Sequence, residues 1–290
     1  MAICIDTRCL LCHFNKNVDI ARGLGTEAQA TAFARELMKI YLDSPEDVGA
    51  TWYGPATAKL FDEIYGTGPD RFVEEKRQSN AFVLERLEQI REKIHSAPDR
   101  VLAGLKFAIL GNYIDFSALY GEVSFEKLDE MLQSALEMEL DGEVYASLCA
   151  ELARGGKLLY LTDNAGEIGF DRICAETIQA KYPQMEITFC VRGGPALNDA
   201  TREDAAAVGI PFPVIDNGNC VPGTELKVLG PEAKQALETA DVVIAKGQAN
   251  AETLLDSGYN IYFAFLAKCV RFTERYHCPK LTPMLVKERA

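Results

Sequence analysis

The chain has 290 residues, 48% of them hydrophobic and 25% charged, with 22 Gly and only 12 Pro. That composition supplies a full-sized core and excludes a disulfide mini-protein, a fibrous chain and a disordered one. Thirty Lys and Arg against 43 Asp and Glu give a formal charge of −13, with the basic residues scattered, so a reader of nucleic-acid backbones is not expected.

The apolar runs at 105–110 and 260–267 are cut short by polar residues or glycine, well below the ~18 to 20 residues of a bilayer span. The first residues carry no uninterrupted apolar stretch and no small-residue cleavage site, so no membrane partner and a cytoplasmic location are expected. Nine cysteines without an export signal read as reduced thiols or metal ligands rather than disulfides. Three histidines, His13, His95 and His277, leave little material for a His-rich metal centre or a catalytic triad. Nothing in the sequence specifies an oligomeric state.

From the start to about residue 145 the apolar residues recur at helical spacing, in Ala30, Phe33, Leu37 and Ile40, in Val83, Leu87, Ile90 and Ile94, and in Phe125, Leu128, Leu132 and Ala135. Ser124 is placed to cap the last of these helices, and the Gly-Pro pairs at 54–55 and 68–69 break the earlier ones. After Gly155-Gly156 the pattern changes to short apolar blocks separated by amphipathic stretches. Strands are expected at 157–162, 186–191, 211–215, 241–246 and 261–267. The first four starts lie 29, 25 and 30 residues apart, room for right-handed βαβ crossovers and hence a parallel sheet covered on both faces. The expected fold is α/β: a helical region over 1–150, then a three-layer α/β/α domain with a mainly parallel sheet over 151–290.

In such a sheet a ligand lies beyond the carboxyl ends of the strands, and here every strand runs into polar residues. The ends are Asp163-Asn164-Ala-Gly-Glu167, Arg192-Gly193-Gly194 continuing to Asn198-Asp199, Asp216-Asn217-Gly218, Lys246-Gly247-Gln248 and Lys268. Asp163, Asn164 and Asp199 offer two carboxylates and an amide carbonyl, hard donors suited to Mg²⁺, Mn²⁺ or a similar cation such as Co²⁺ or Ni²⁺. Lys246 supplies positive charge for a phosphate, and glycine-rich loops leading into helices at Gly166 and at Gly193-Gly194 would add backbone N–H groups. Metal, lysine, amides and water together equip a site for phosphoryl transfer to water. The competing structural readings are that Asp163 and Asp199 merely cap the helices that follow, and that Lys246 is a snorkelling surface lysine.

At these same residues the sequence resembles the metal-dependent damage-control phosphatases, the domain-of-unknown-function family 89. The segments that carry the likeness are Leu-Thr-Asp-Asn-Ala-Gly-Glu-Ile-Gly-Phe-Asp at 161–171, Arg-Gly-Gly-Pro-Ala-Leu-Asn-Asp-Ala-Thr at 192–201, Ala-Lys-Gly-Gln-Ala-Asn at 245–250 with Glu252, and Gly-Asn-Tyr-Ile-Asp at 111–115. The resemblance implies helices packed on an α/β/α domain and a cation held at Asp163, Asn164 and Asp199. It also implies a phosphate-facing lysine at Lys246 and hydrolysis of a small phosphomonoester, often a sugar phosphate or damaged metabolite. The stand-alone prokaryotic branch carries an N-terminal Cys-x-x-Cys, present here as Cys9-Leu-Leu-Cys12.

Asn112 and Asp115, three apart, would share a helix face; they are expected either to contact substrate or to form a buried polar pair. Glu252 would accept from sugar hydroxyls or stand as an exposed glutamate at a helix start. Arg192 and the amide of Gly193 would face the transferring oxygens, and Asp163 and Glu167 are both candidates to take the proton. Without an Asp-x-Asp arrangement, direct attack by water is the simpler chemistry. Cys9 and Cys12, with Cys4 and His13 nearby, have the spacing of a thiol pair or a metal site. Two rival readings are an S-adenosylmethionine-dependent carboxyl methyltransferase and a non-catalytic sugar-phosphate-binding protein.

Overall fold

The computed structural model describes residues 6–116, 119 and 121–287, and Cys4 lies outside them. The chain opens with α1 (Thr7–Leu24), α2 (Glu27–Asp43) and α3 (Gly54–Tyr65). Asp6 caps α1 by accepting from the Arg8 and Cys9 amides, and Thr26 with Gln29 forms a capping box on α2. These three helices bury Ile20, Phe33, Leu37, Leu60 and Phe61 mainly among themselves, with the Phe33 and Phe61 rings 4.4 Å apart.

Next come α4 (Val73–Ser96), α5 (Arg100–Gly111), α6 (Phe125–Gln133) and α7 (Gly142–Leu152). Ser124 accepts from the Lys127 amide as the expected cap of α6. The α/β part then runs β1 (Gly156–Leu161), α8 (Glu167–Lys181), β2 (Met185–Val191), α9 (Arg202–Ala207), β3 (Val214–Asp216), α10 (Pro231–Thr239), β4 (Val242–Lys246), α11 (Gly247–Leu254), β5 (Ile261–Ala267), α12 (Val270–Arg275) and β6 (Thr282–Val286).

The sheet has the order β3-β2-β1-β4-β5-β6, parallel throughout except for antiparallel β6. Alternation along each strand divides its side chains between two cores. Leu158, Tyr160, Val242, Ile244 and Tyr262 face the helices α4 to α9, whereas Leu159, Leu161, Val243, Ala245 and Phe263 face α10, α11 and α12. Helices α4 to α7 thus complete one outer layer of the α/β/α sandwich, and the hydrophobic core does not divide at residue 150.

Two sequence expectations are corrected. The third strand is three residues, Val214–Asp216, and starts later than expected, because 211–213 contains two prolines and gives the sheet only the Pro213 carbonyl, which accepts from Phe189 N–H. The sixth strand was not foreseen; Pro283 argues against a strand, but an edge position with one unpaired side tolerates it. No helix among the described residues is long and apolar enough to cross a membrane.

Candidate active site

The strand order reverses between β1 and β4, since β1 leads outward to β2 and β4 leads outward to β5. That is the switch point at which a crevice opens beyond the strand ends. Two loops meet there. The Ala200 N–H donates to the Asp163 carbonyl at 2.7 Å, the Ala165 N–H to the Asn198 carbonyl at 2.9 Å, and Asn164 and Asp199 form an antiparallel bridge. This short ladder brings Asp163, Asn164 and Asp199 together although 35 residues separate the first from the last.

All three line one cavity of about 380 Å³, whose wall also carries Asp115, Glu252 and Cys9. Neither aspartate is a helix cap: Gly166 caps α8 and Thr201 caps α9. The structure therefore removes the capping reading for both.

Asp163 is buried, and its Oδ2 accepts from Asn112 Nδ2 and Asn164 Nδ2, both at 2.9 Å. Burial, then the nearby charges of Asp199 and Glu167, raise its pKa well above the ordinary carboxylate value. The pKa of Asp199 is pushed up to about 6 by burial, against the pull of Arg192, whose Nε donates to its Oδ2 at 2.6 Å. Asn164 Oδ1 accepts from Asn198 Nδ2 at 2.9 Å and has a second lone pair, while Asn198 Oδ1 is buried without a partner. Two carboxylates and one amide oxygen on the wall of one cavity are hard donors of the kind that could hold a divalent cation. Among the described residues no three His, Cys, Asp or Glu side chains form a metal cage; the candidate set has two carboxylates and one amide.

Gly247 shows how closely the floor is built. With φ at +78°, it lies so near Asp163 that an added Cβ would stand 1.8 Å from Oδ2.

Five expected site residues lie behind the cavity wall. Lys246 shares the strand face of Ile244 and so points at α5 and α8. It is fully buried, and Nζ donates to Glu167 Oε1 at 2.6 Å, Asp171 Oδ1 at 2.8 Å and the Ala108 carbonyl at 2.9 Å, which uses all three N–H groups. Burial lowers its pKa, but Asp171 and Glu167 outweigh that and the net shift is upward. Lys246 is therefore not a surface lysine, and its N–H donors are directed at protein acceptors. Glu167 is equally sealed: its Oε2 accepts from Asn112 Nδ2 at 2.9 Å and Asn164 Nδ2 at 2.7 Å.

Asn112 is buried too, with its carbonyl oxygen taken by the Leu266 N–H. The expected shared helix face is corrected here, because α5 ends at Gly111 and Asn112 is its C-cap. Asn112 therefore points inward, while Asp115 reaches the cavity and pairs with Lys268 at 2.7 Å. Arg192 is buried against Asp199 and the Thr162 carbonyl.

The expected amide cradle is also corrected. The Gly193 N–H goes to Asn217 Oδ1 and the Asn219 carbonyl, Gly193-Gly194 leads into turns rather than a helix, and the Gly166 N–H goes to Asn80 Oδ1.

Glu252 belongs to α11, lines the cavity and accepts from Gln248 Nε2 at 3.1 Å; burial raises its pKa. Cys9 and Cys12 also line the cavity, and Arg271 Nη1 lies 3.5 Å from Cys9 Sγ. Sequence reasoning names Asn198 and Lys268 as strand-end residues and Asp171 within a family segment without giving any of them a role, and it misses Asn80. Lys268 ends an expected strand and was the most accessible to it; Asn80 carried no signal.

The damage-control phosphatase ARMT1-like domain model matches residues 5–280. A damage-control phosphatase from Pyrococcus horikoshii is 35% identical over 230 residues, 78% of each chain. One from Archaeoglobus fulgidus is 33% identical over 214 residues, 71% of this chain and 72% of that one. An uncharacterized protein from Methanocaldococcus jannaschii is 30% identical over 276 residues, covering 91% and 89%. The crystal structure of a domain-of-unknown-function family 89 protein from Pyrococcus horikoshii superposes with a TM-score of 0.81 at 28% identity, covering 99% of both chains. Neither the methyltransferase nor the binding-protein reading is favoured by these relatives. With its switch-point cavity and this match over nearly its whole length, the chain belongs to the damage-control phosphatase ARMT1-like domain family.

Proposed function

We propose that this chain is a divalent-metal-dependent phosphatase that hydrolyses a small phosphomonoester, a sugar phosphate or related damaged metabolite. The observation that carries the reading is the convergence of Asp163, Asn164 and Asp199 on one cavity wall, where two buried carboxylates crowd each other. These three side chains would hold Mg²⁺, Mn²⁺, Co²⁺ or Ni²⁺. Bound there, the ion supplies Lewis-acid polarisation of the phosphoryl group and a water of lowered pKa.

The remaining roles follow from position. Asp163 is the carboxylate placed at the cavity to accept a proton, since Glu167 is sealed behind Asn112 and Asn164. Lys246 acts at one remove: it fixes Glu167, which orients the Asn112 and Asn164 amides that in turn hold Asp163. Arg192 likewise fixes the Asp199 carboxylate. Asp115 and Glu252 on the wall would accept hydrogen bonds from substrate hydroxyls. A cavity of about 380 Å³ suits a ligand of sugar-phosphate size.

The test is phosphate release from p-nitrophenyl phosphate and a sugar-phosphate panel with each of the four cations, and after EDTA. Release that EDTA abolishes and a cation restores supports the proposal. Release that EDTA leaves unchanged sinks the metal mechanism.

A further inference from the structure

The cavity floor has a chemistry assigned to it, whereas the wall contributed by the helical part does not. Lys16, on α1, and Arg71, in the segment between α3 and α4, both line the cavity that holds Asp163, Asn164 and Asp199. The Arg71 guanidinium carbon stands 4.0 Å from the centroid of the Phe61 ring and 5.2 Å from that of Phe72. Such stacking orients the guanidinium at the cavity wall.

The Asp115–Lys268 pair acts on Asp163. The same pair acts on Lys16, and so does Arg71. Asp115, Lys16 and Arg71 line the same cavity as the floor donors.

Burial, together with the opposing charges of Arg71 and Lys268, lowers the Lys16 pKa despite Asp115. Cations on the wall of one cavity raise the positive potential there, which favours an anionic group of a ligand.

We propose that Lys16 and Arg71 form a second anion subsite, and that the substrate is a phosphomonoester with a further anionic group, a carboxylate or a second phosphate, remote from the phosphoryl group on the floor. This deepens the phosphatase reading and rests on it for which end of the ligand reacts. The helical part then selects the substrate by its second charge.

The test compares paired probes on the full chain with Mn²⁺ present: 3-phosphoglycerate against glycerol 3-phosphate for the carboxylate, and fructose 1,6-bisphosphate against fructose 6-phosphate for the second phosphate. Calorimetric affinity is measured, with kcat/KM wherever a probe turns over. The doubly anionic member of at least one pair binds roughly tenfold tighter or better, the scale of one charge-assisted contact. That preference collapses toward unity in Lys16→Gln and Arg71→Gln, persists in Lys16→Arg, and is untouched in Lys59→Gln, whose side chain is 77% exposed and outside the cavity. Thermal melting and circular dichroism establish that each variant is folded.

A wild-type protein indifferent to the second charge in both pairs overturns the subsite, as does a preference that survives both glutamine substitutions. If no phosphomonoester turns over with any of the four cations, the phosphatase reading fails, and the calorimetric preference still decides the subsite by itself.

Discussion

The floor and the helical wall of the cavity are positioned by different physics. On the floor, backbone hydrogen bonds between two strand-end loops set the side chains, and a network of buried amides and charges locks them. On the wall, Lys16 and Arg71 come from helices and a connecting segment held by a small aromatic core of their own. A reacting constellation tolerates little displacement, whereas a wall carried on separate helix packing can change its side chains while the floor stays intact. On the proposed reading the reacting end is the loop-built floor and the selecting end the helical wall.

The sharpest way to break that contrast is at Asp163. Asp163→Asn is expected to lower phosphate release by more than about a thousandfold, the scale seen when a preorganised charged group is removed from an active site. The melting temperature of the metal-free protein should hold or rise, because the substitution removes a buried charge that Asp199 and Glu167 oppose. Activity within tenfold of wild type would mean that the floor does not carry the chemistry. Failure to fold would return Asp163 to a structural role.

Lys246 tests the support beneath the floor. Lys246→Met leaves Glu167 and Asp171 buried without their ammonium partner, a loss that costs about 3–5 kcal/mol. Denaturant unfolding at neutral pH reads it directly. A variant as stable as wild type would show that the three short contacts of Lys246 add nothing to stability.

The contrast also explains what was legible beforehand. Strand periodicity located β1, β2, β4 and β5 closely, and the polar residues at their ends located Asp163, Asn164 and Asp199, because a parallel α/β sheet delivers strand ends to one rim. The inward direction of Lys246 follows from alternation along β4, which places it with Ile244. Asn112 reads as a helix-face residue in the sequence, because nothing local in Gly111-Asn112-Tyr113 marks the helix end that the fold places there. Asn80 was illegible for another reason: it sits in the middle of α4, and only the three-dimensional packing of α4 against α8 and α9 gives it partners. Lys16 and Arg71 likewise meet only through tertiary packing, since no periodic signal links α1 to the segment before α4.

Asn80 joins the helical layer to the floor and yields the next largest effect. Its Nδ2 donates to Asp204 Oδ1 at 2.8 Å, and its Oδ1 accepts from the Gly166 N–H at 2.7 Å, just ahead of α8. Asn80→Ala leaves that buried N–H unpaired, at a cost of about 1–3 kcal/mol. The loosened start of α8 should also lower kcat more than it raises KM, because Glu167 begins that helix. A change in KM alone would assign Asn80 to substrate binding.

The smallest effect lies in the outer helical part, at His13. Its Nδ1 is 2.7 Å from the Tyr41 hydroxyl, its ring packs against Tyr41 and Tyr53, and burial followed by the charge of Lys16 lowers its pKa to about 4 from 6.5. The folded protein therefore keeps His13 neutral while the unfolded chain takes up a proton below pH 6.5. Its stabilising contribution is complete above that value and declines as the pH falls toward 4. In the first unit of pH below 6.5 the loss amounts to up to about 1 kcal/mol. Replacing His13 with Gln should flatten this acid limb of the stability profile, measured by urea unfolding across the range. An unchanged limb would mean that the imidazole is protonated in place, and that α1 packs less tightly over Tyr41 and Tyr53 than the floor packs around Asp163.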